Sequence, residues 1–137
     1  MPEAHAGRLV DHVHLRVTDL AASRRFYEAA LDVLGIEVRG GDESFAADEL
    51  YVTADAPPTQ GFHLAFQAAD KDTVHRFYEA ALAAGGRDNG LPGERDYHPG
   101  YYAAYVLDPD GTNVEAVYHG AFERSAPSVV FTWEEPS

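Results

Sequence analysis

The chain has 137 residues, of which 45% are hydrophobic, and its formal net charge is −13. This length favours one compact domain with a core of its own. The excess of acidic side chains argues against binding to nucleic acid or to an anionic membrane surface. The absence of cysteine excludes disulfides, thiolate nucleophiles and sulfur-ligated metals. Because no apolar run reaches the ~18 residues of a membrane span and the N-terminus lacks signal-peptide features, we expect a cytoplasmic protein.

A seven-residue motif, RFYEAAL, occurs twice, at 25–31 and again at 76–82. At the same offset His12 matches His63, and Asp19 matches Asp70. Each copy therefore has an apolar segment carrying a histidine, an aspartate suited to cap a helix, and then the helix itself. Two copies predict a domain of paired modules rather than a long solenoid.

In the first module, residues 9–17 alternate between apolar and polar side chains, as a half-buried strand does. A helix is predicted from Leu20 to Leu34, with Leu20, Tyr27, Leu31 and Leu34 as its buried stripe and Gly35 as its end. Three short strands are predicted at Ile36–Arg39, Ser44–Ala47 and Glu49–Thr53. Residues 1–8 are expected to be a loose arm, and residues 54–61 a proline-containing linker.

The second module repeats this order, with a strand at Phe62–Gln67 and a helix from the Asp70 cap to about Ala84. A weak strand at Arg87–Asn89 is followed by a polar loop, Gly90–Pro99, of a composition typical of a lid. Strands at 100–107 and 112–118 flank a tight turn at Asp108–Gly111. Each half therefore reads as βαβββ.

The predicted fold is α+β, in which tandem βαβββ modules at 9–54 and 61–119 form a curved mixed sheet around a cavity, with the helices outside. Together they make a single domain, 1–119. Residues 120–137 are predicted to be a C-terminal extension. Within it, Val129–Trp133 is either an additional strand or an interface element.

Polar side chains on the cavity side of the predicted strands are the candidate site residues. They are His12, His14, Arg16, Glu49, Tyr51, Thr53, His63, Gln67, Tyr101, Tyr105, Asn113 and Glu115. A buried carboxylate without a basic partner is costly unless a cation neutralises it. His12, His63 and Glu115 make a 2-His-1-carboxylate set with open coordination positions, which suits Fe(II) or Mn(II) and also Zn(II) or Ni(II).

The remaining histidines and Arg16 are not expected to bind the metal. His14 is expected to line the pocket rather than bind the metal. Arg16 either pairs with an acid or holds an anionic substrate, and the sequence leaves both open. His5, His75 and His119 are expected on the surface.

The duplicated unit with its "DHVHLRV", "HLAF" and "DPDGTNVEAV" segments resembles the vicinal oxygen chelate superfamily over residues 9–119. That superfamily includes glyoxalase I, extradiol dioxygenases and bleomycin-binding proteins. The resemblance implies a metal held by His12, His63 and Glu115, and a small-molecule substrate that presents two adjacent oxygens. It also implies a homodimer, with the site formed within one chain or across two.

The resemblance leaves the reaction open. Extradiol dioxygenases carry a tyrosine ten residues before the ligand glutamate, which implies a catalytic Tyr105, and a histidine before it, for which His98 is the match. Glyoxalase I has a fourth ligand on the last strand of the first half, where Glu49 or Tyr51 would lie. The first hypothesis is extradiol-like cleavage of a catechol-like substrate. The alternatives are a glyoxalase-type lyase or isomerase and a non-catalytic drug-binding resistance protein.

Overall fold

The computed structural model describes residues 3–6, 9–121 and 129–132. These residues form two helices, two four-stranded mixed sheets and one two-stranded ribbon. The predicted α+β architecture of two βαβββ modules is therefore confirmed. Neither helix is long and apolar enough to cross a membrane, in the ranges described.

The first module follows a short strand at the start of the chain, β1 (Glu3–Ala6). Its elements are β2 (Val13–Arg16), α1 (Leu20–Val33), β3 (Arg39–Gly40), β4 (Ser44–Ala47) and β5 (Leu50–Thr53). The sheet order is β2-β5-β4-β3, with β2 parallel to β5 and the other pairs antiparallel.

The second module has the same order of elements. They are β6 (His63–Gln67), α2 (Lys71–Ala83), β7 (Arg87–Glu94), β8 (Tyr102–Leu107) and β9 (Asn113–Tyr118). The sheet order is β6-β9-β8-β7, with β6 parallel to β9. The two sheets share the helices and a continuous apolar core, in which Phe26, Tyr27 and Phe77 are fully buried.

Aspartate side chains start both helices, as predicted. Asp19 accepts a hydrogen bond from the Ala22 amide at 3.1 Å, and Asp70 accepts one from the Thr73 amide at 2.7 Å. Short side-chain oxygens at this position satisfy amides that have no partner inside the helix. Because these caps act locally, both helices begin where the sequence predicts.

Two predicted elements differ in the structure. The strand expected at Ile36–Arg39 is only Arg39–Gly40, because the Ile36 amide still bonds the Leu31 carbonyl at 3.0 Å and so completes the end of α1. The lid loop expected from Gly90 is wrong, since β7 continues to Glu94. Register shifts on either side of Gly90 mark β-bulges. These bulges interrupt the alternation of side chains between the two faces, so the sequence pattern does not indicate a strand here.

The two ends of the described chain meet in the ribbon. β1 pairs antiparallel with β10 (Val129–Thr132), and Glu3 lies opposite Thr132. The interpretation of this tail as an additional strand therefore holds for Val129–Thr132, and Glu3–Ala6 is a strand rather than a loose arm. Trp133 lies outside the described residues.

A buried hydrogen-bond network joins the modules. The Tyr27 hydroxyl donates to Asp108 Oδ2 at 2.6 Å, and the amides of Asp110 and Thr112 each donate to Asp108 Oδ1 at 2.9 Å. Asp110 in turn accepts from the Thr18 amide at 3.2 Å. The turn between β8 and β9 thus fixes the start of α1 to the second sheet.

Candidate functional site

Glu115 lies at the centre of the polar cluster in the second module. It is 1% exposed, and its neighbours across β9 are Ala65 on β6 and Tyr105 on β8. His63 Nε2–H donates to Glu115 Oε1 at 2.8 Å, and the Tyr101 hydroxyl donates to Oε2. The structure therefore brings together one of the predicted histidine ligands and the predicted carboxylate.

Two phenols border this carboxylate. Burial, reinforced by the nearby Glu115 charge, raises the pKa of Tyr105 to about 12. Burial also raises the pKa of Tyr101, and its hydrogen bond to Glu115 raises it further. Both side chains are therefore neutral at pH 7 and serve as hydrogen-bond donors. The Tyr105 ring lies 6.1 Å from the His63 ring, between centroids.

A pair of histidines stacks at the rim of the cluster. His98 Nδ1–H donates to the Pro99 carbonyl at 2.8 Å, so its Nε2 accepts from His119 Nδ1–H at 2.9 Å. Tyr101 packs edge-on against both rings. His98 is therefore linked to Glu115 through Tyr101. His119 is exposed, as expected, but the sequence did not predict that it belongs to this cluster. Its position four residues after Glu115, and so on the same side of an extended strand, could have indicated this.

The other predicted ligand, His12, lies in the first module. Its Nδ1–H donates to Asp11 Oδ1 at 2.8 Å, and its side chain is 65% exposed. Among the described residues, no group of three or more His, Asp and Glu side chains is arranged to hold a metal ion. That His12 binds a metal together with His63 and Glu115 thus stays a prediction.

The polar face of the first sheet has its own hydrogen-bond chain. His14 Nε2–H donates to Thr53 Oγ1 at 2.7 Å, and the Thr53 hydroxyl donates to Asp55 Oδ1 at 2.6 Å. That bond from Thr53 lowers the pKa of Asp55. Arg16 Nε lies 3.4 Å from the same Asp55 oxygen, so of its two interpretations the structure favours pairing with an acid.

The strand registers identify the counterpart of Glu115 in the first module. Ala65 lies opposite Glu115, and His14, which matches Ala65 in the repeat, lies opposite Tyr51. Tyr51 therefore occupies the equivalent place, with its ring 4.8 Å from His14. Glu49 is exposed and corresponds to Asn113 instead.

The remaining pocket candidates lie along the second sheet. Asn113 is opposite His63, and its side-chain oxygen accepts from Asn89 at 3.0 Å. Gln67, on the same side of β6 as His63, is opposite Val117 and exposed. Both positions flank the His63–Glu115 pair, one at each end of the β6–β9 ladder.

Residues 9–116 match the Glyoxalase/Bleomycin resistance protein/Dioxygenase superfamily. No curated protein sequence matches the chain. A glyoxalase/bleomycin resistance protein from Albidiferax ferrireducens is 32% identical, with a TM-score of 0.66, over 77% of this chain and 94% of that one.

Two further solved structures share the fold. A glyoxalase-related enzyme from Fulvimarina pelagi is 22% identical with a TM-score of 0.69, over 91% of this chain and 98% of its own. A glyoxalase I mutant from Zea mays is 28% identical with a TM-score of 0.58, over 77% of this chain and 45% of that one.

A fold of paired βαβββ modules with polar faces is that of the vicinal oxygen chelate proteins. The chain belongs to the Glyoxalase/Bleomycin resistance protein/Dioxygenase superfamily.

Proposed function

We propose that the protein is a metal-dependent enzyme that cleaves the ring of a catechol-like substrate. The observation that carries this proposal is the strand register that places Tyr51 at the counterpart of Glu115. A glyoxalase I-type site would have a fourth ligand in the first half. With a tyrosine there, His12, His63 and Glu115 leave three protein ligands and open positions, as oxygen-using Fe(II) sites have.

The contact between His63 and Glu115 suits a divalent cation. Their ligand atoms are 2.8 Å apart, and adjacent ligands of an octahedral ion, each about 2.1 Å from it, are about 3 Å apart. Glu115 is buried, and its ion pair in the described residues is with a histidine, which carries charge only when protonated. A cation would replace that proton and neutralise the carboxylate. Fe(II) or Mn(II) is favoured, and Zn(II) or Ni(II) fits the same donors.

The third ligand, His12, belongs to the other module. Because its side chain is exposed, a second copy of the chain could supply it to the His63–Glu115 pair, and this supports a homodimer with shared sites. In that arrangement the polar face of the first sheet, with His14, Arg16 and Tyr51, would form the opposite wall of the pocket.

Each nearby side chain has a distinct task in the proposed reaction. A bound ion would stabilise negative charge on the two substrate oxygens. Tyr105, a neutral phenol opposite Glu115, donates a hydrogen bond to that charge. Tyr101 holds the carboxylate in place. His98 contacts Tyr101 and the solvent, so we assign it to proton exchange at the rim.

The test is metal loading followed by oxygen uptake. Protein prepared without oxygen is first titrated with Fe(II) or with Mn(II). Catechol and oxygen are then added, and oxygen consumption is recorded. We expect about one ion per chain and uptake that depends on it. Glu115→Gln should abolish both, whereas Glu49→Gln, the same change at an exposed position, should leave both intact. Failure of the wild type to acquire either metal contradicts the proposal.

A second candidate, a metal-free binding protein, is favoured by one observation. Glu115 already accepts hydrogen bonds from His63 and Tyr101, so its carboxylate is satisfied without a cation. This candidate expects an aromatic ligand whose affinity is unchanged by His12→Ala. A glyoxalase-type lyase would be recognised instead by oxygen-independent turnover of a hemithioacetal and by loss of activity in Glu49→Gln.

A further inference from the structure

We infer that Arg95 recognises an anionic group on the substrate, so that a carboxylate-bearing aromatic is preferred over a neutral catechol. The Arg95 guanidinium lies over the Tyr105 ring, with its central carbon 5.3 Å from the ring centroid. Tyr105 in turn lies opposite Glu115. The inference rests on the proposed function for the place where the substrate binds.

The partners of Arg95 distinguish it from Arg24 on α1 and Arg76 on α2. Arg24 and Arg76 each pair with a carboxylate one helical turn away. In the described part of the chain, Arg95 donates instead to two backbone carbonyls, those of Leu91 at 2.7 Å and Glu94 at 3.2 Å. A guanidinium has five N–H donors, and neutral carbonyls do not cancel its charge. A half-buried cation with no carboxylate partner among the described residues is notable in a chain of net charge −13.

The bulged strand β7 holds this side chain in place. A Cβ atom at Gly90 would lie 2.8 Å from the Tyr105 ring and 3.3 Å from an Arg95 terminal nitrogen. A Cβ at Gly93 would lie 3.3 Å from the other terminal nitrogen. Because both positions are glycine, the guanidinium can lie close to the backbone and bond its carbonyls. An arginine fixed in this way loses little freedom when it binds a ligand, which favours tight recognition.

The distance between Arg95 and His63 is compatible with the size of a substituted aromatic ring. The guanidinium and the His63 ring both contact Tyr105, and they are at most about 11 Å apart. At such a distance, a ring whose diol oxygens lie beside His63 and Glu115 can reach Arg95 with a substituent on its far side. A carboxylate there can accept two parallel N–H bonds, the geometry that arginine offers and lysine does not.

The experiment compares two ligands that differ in a single group, the anionic 3,4-dihydroxybenzoate and its neutral amide, 3,4-dihydroxybenzamide. Dissociation constants are measured by calorimetry at pH 7 on the metal-free protein and on the Mn(II)-loaded protein. We expect the benzoate to bind at least about tenfold more tightly than the amide. Arg95→Gln should remove this preference by weakening the benzoate alone, and Arg95→Lys should keep only part of it.

Arg76→Gln is the matched control, because it removes the same charge from an exposed position on α2. It should leave both dissociation constants within about twofold of the wild type. Equal loss of affinity for both ligands in Arg95→Gln would show that Arg95 only holds β7, and would overturn the inference. So would equal binding of the two ligands, or no saturable benzoate binding, in the wild type. A preference for the benzoate without metal uptake would overturn the proposed reaction and leave the anion site standing.

Discussion

Replacing Tyr27 by phenylalanine isolates the hydrogen bond that joins the two modules. Phenylalanine keeps the fully buried ring and removes only the hydroxyl that donates to Asp108 at 2.6 Å. Asp108 is 1% exposed and keeps two amide donors on its other oxygen. A hydrogen bond to a charged group contributes about 1.5–3 kcal/mol, so the free energy of unfolding should fall by about 2–3 kcal/mol.

Urea denaturation followed by circular dichroism measures this loss, which corresponds to a midpoint lower by about 1 M at an unchanged slope. The repeat supplies the control. Tyr78, the counterpart of Tyr27, donates to Asp88 at 3.0 Å at the surface, so Tyr78→Phe should have a much smaller effect. Equal losses in the two variants would refute the idea that burial makes the Tyr27 bond strong.

The effect of Tyr27→Phe should also depend on pH. Burial raises the pKa of Asp108 above its usual value of about 3.9, so this group's contribution to stability is present at low pH and is lost as pH rises through the raised pKa. The Tyr27 hydroxyl opposes that rise by stabilising the ionised form. Its removal raises the pKa further, so the gap between wild type and Tyr27→Phe should be wider at pH 7 than at pH 4.

Three further predictions concern single side chains. Tyr101→Phe frees one oxygen of Glu115 and should weaken Mn(II) binding by about tenfold in a metal titration; unchanged affinity would mean that the phenol does not orient the carboxylate. Gly90→Ala places a Cβ 2.8 Å from the Tyr105 ring and should cost about 1–3 kcal/mol in urea denaturation, whereas Gly93→Ala, its neighbour in β7, should cost less; the reverse order would contradict the packing argument. Hydrogen bonds from Thr73 lower the pKa of Asp70, so its stabilising effect is fully present above the usual pKa of about 3.9 and is lost as pH falls through the lowered pKa; Asp70→Ala should therefore lower the urea midpoint more at pH 7 than at pH 3, and an equal loss at both would argue against a charged cap.

Local signals explain what could be predicted from the sequence. The helix predicted for Leu20–Leu34 is Leu20–Val33, because the Asp19 cap and Gly35, at φ 76°, act within a few residues of each end. Alternation along β9 placed Glu115 on the same side as Tyr105, and the repeat offset placed His63 beside it. These inferences needed only the period of a strand and the spacing of the motif.

The remaining features depend on contacts between distant segments. The predicted stripe of α1 included Leu20, which is only partly buried, and left out Phe26, which packs fully into the core shared with α2. The choice between these faces is made by the second module, 51 residues away in sequence. The bond between Tyr27 and Asp108, and the carbonyl contacts of Arg95 on a bulged strand, are likewise set by tertiary packing. So is the distance of His12 from Glu115.

The separation of His12 and Glu115 on different modules has a genetic consequence. If a pocket takes its first-module wall from a second chain, chains with His12→Ala and chains with Glu115→Gln can complement each other. In mixed dimers, one pocket collects both defects and the other collects neither, so an equimolar mixture of two inactive proteins would regain about one quarter of the pockets. If each pocket forms within its own chain, the mixture stays inactive. Co-expression of the two variants thus reveals how the subunits share their chemistry.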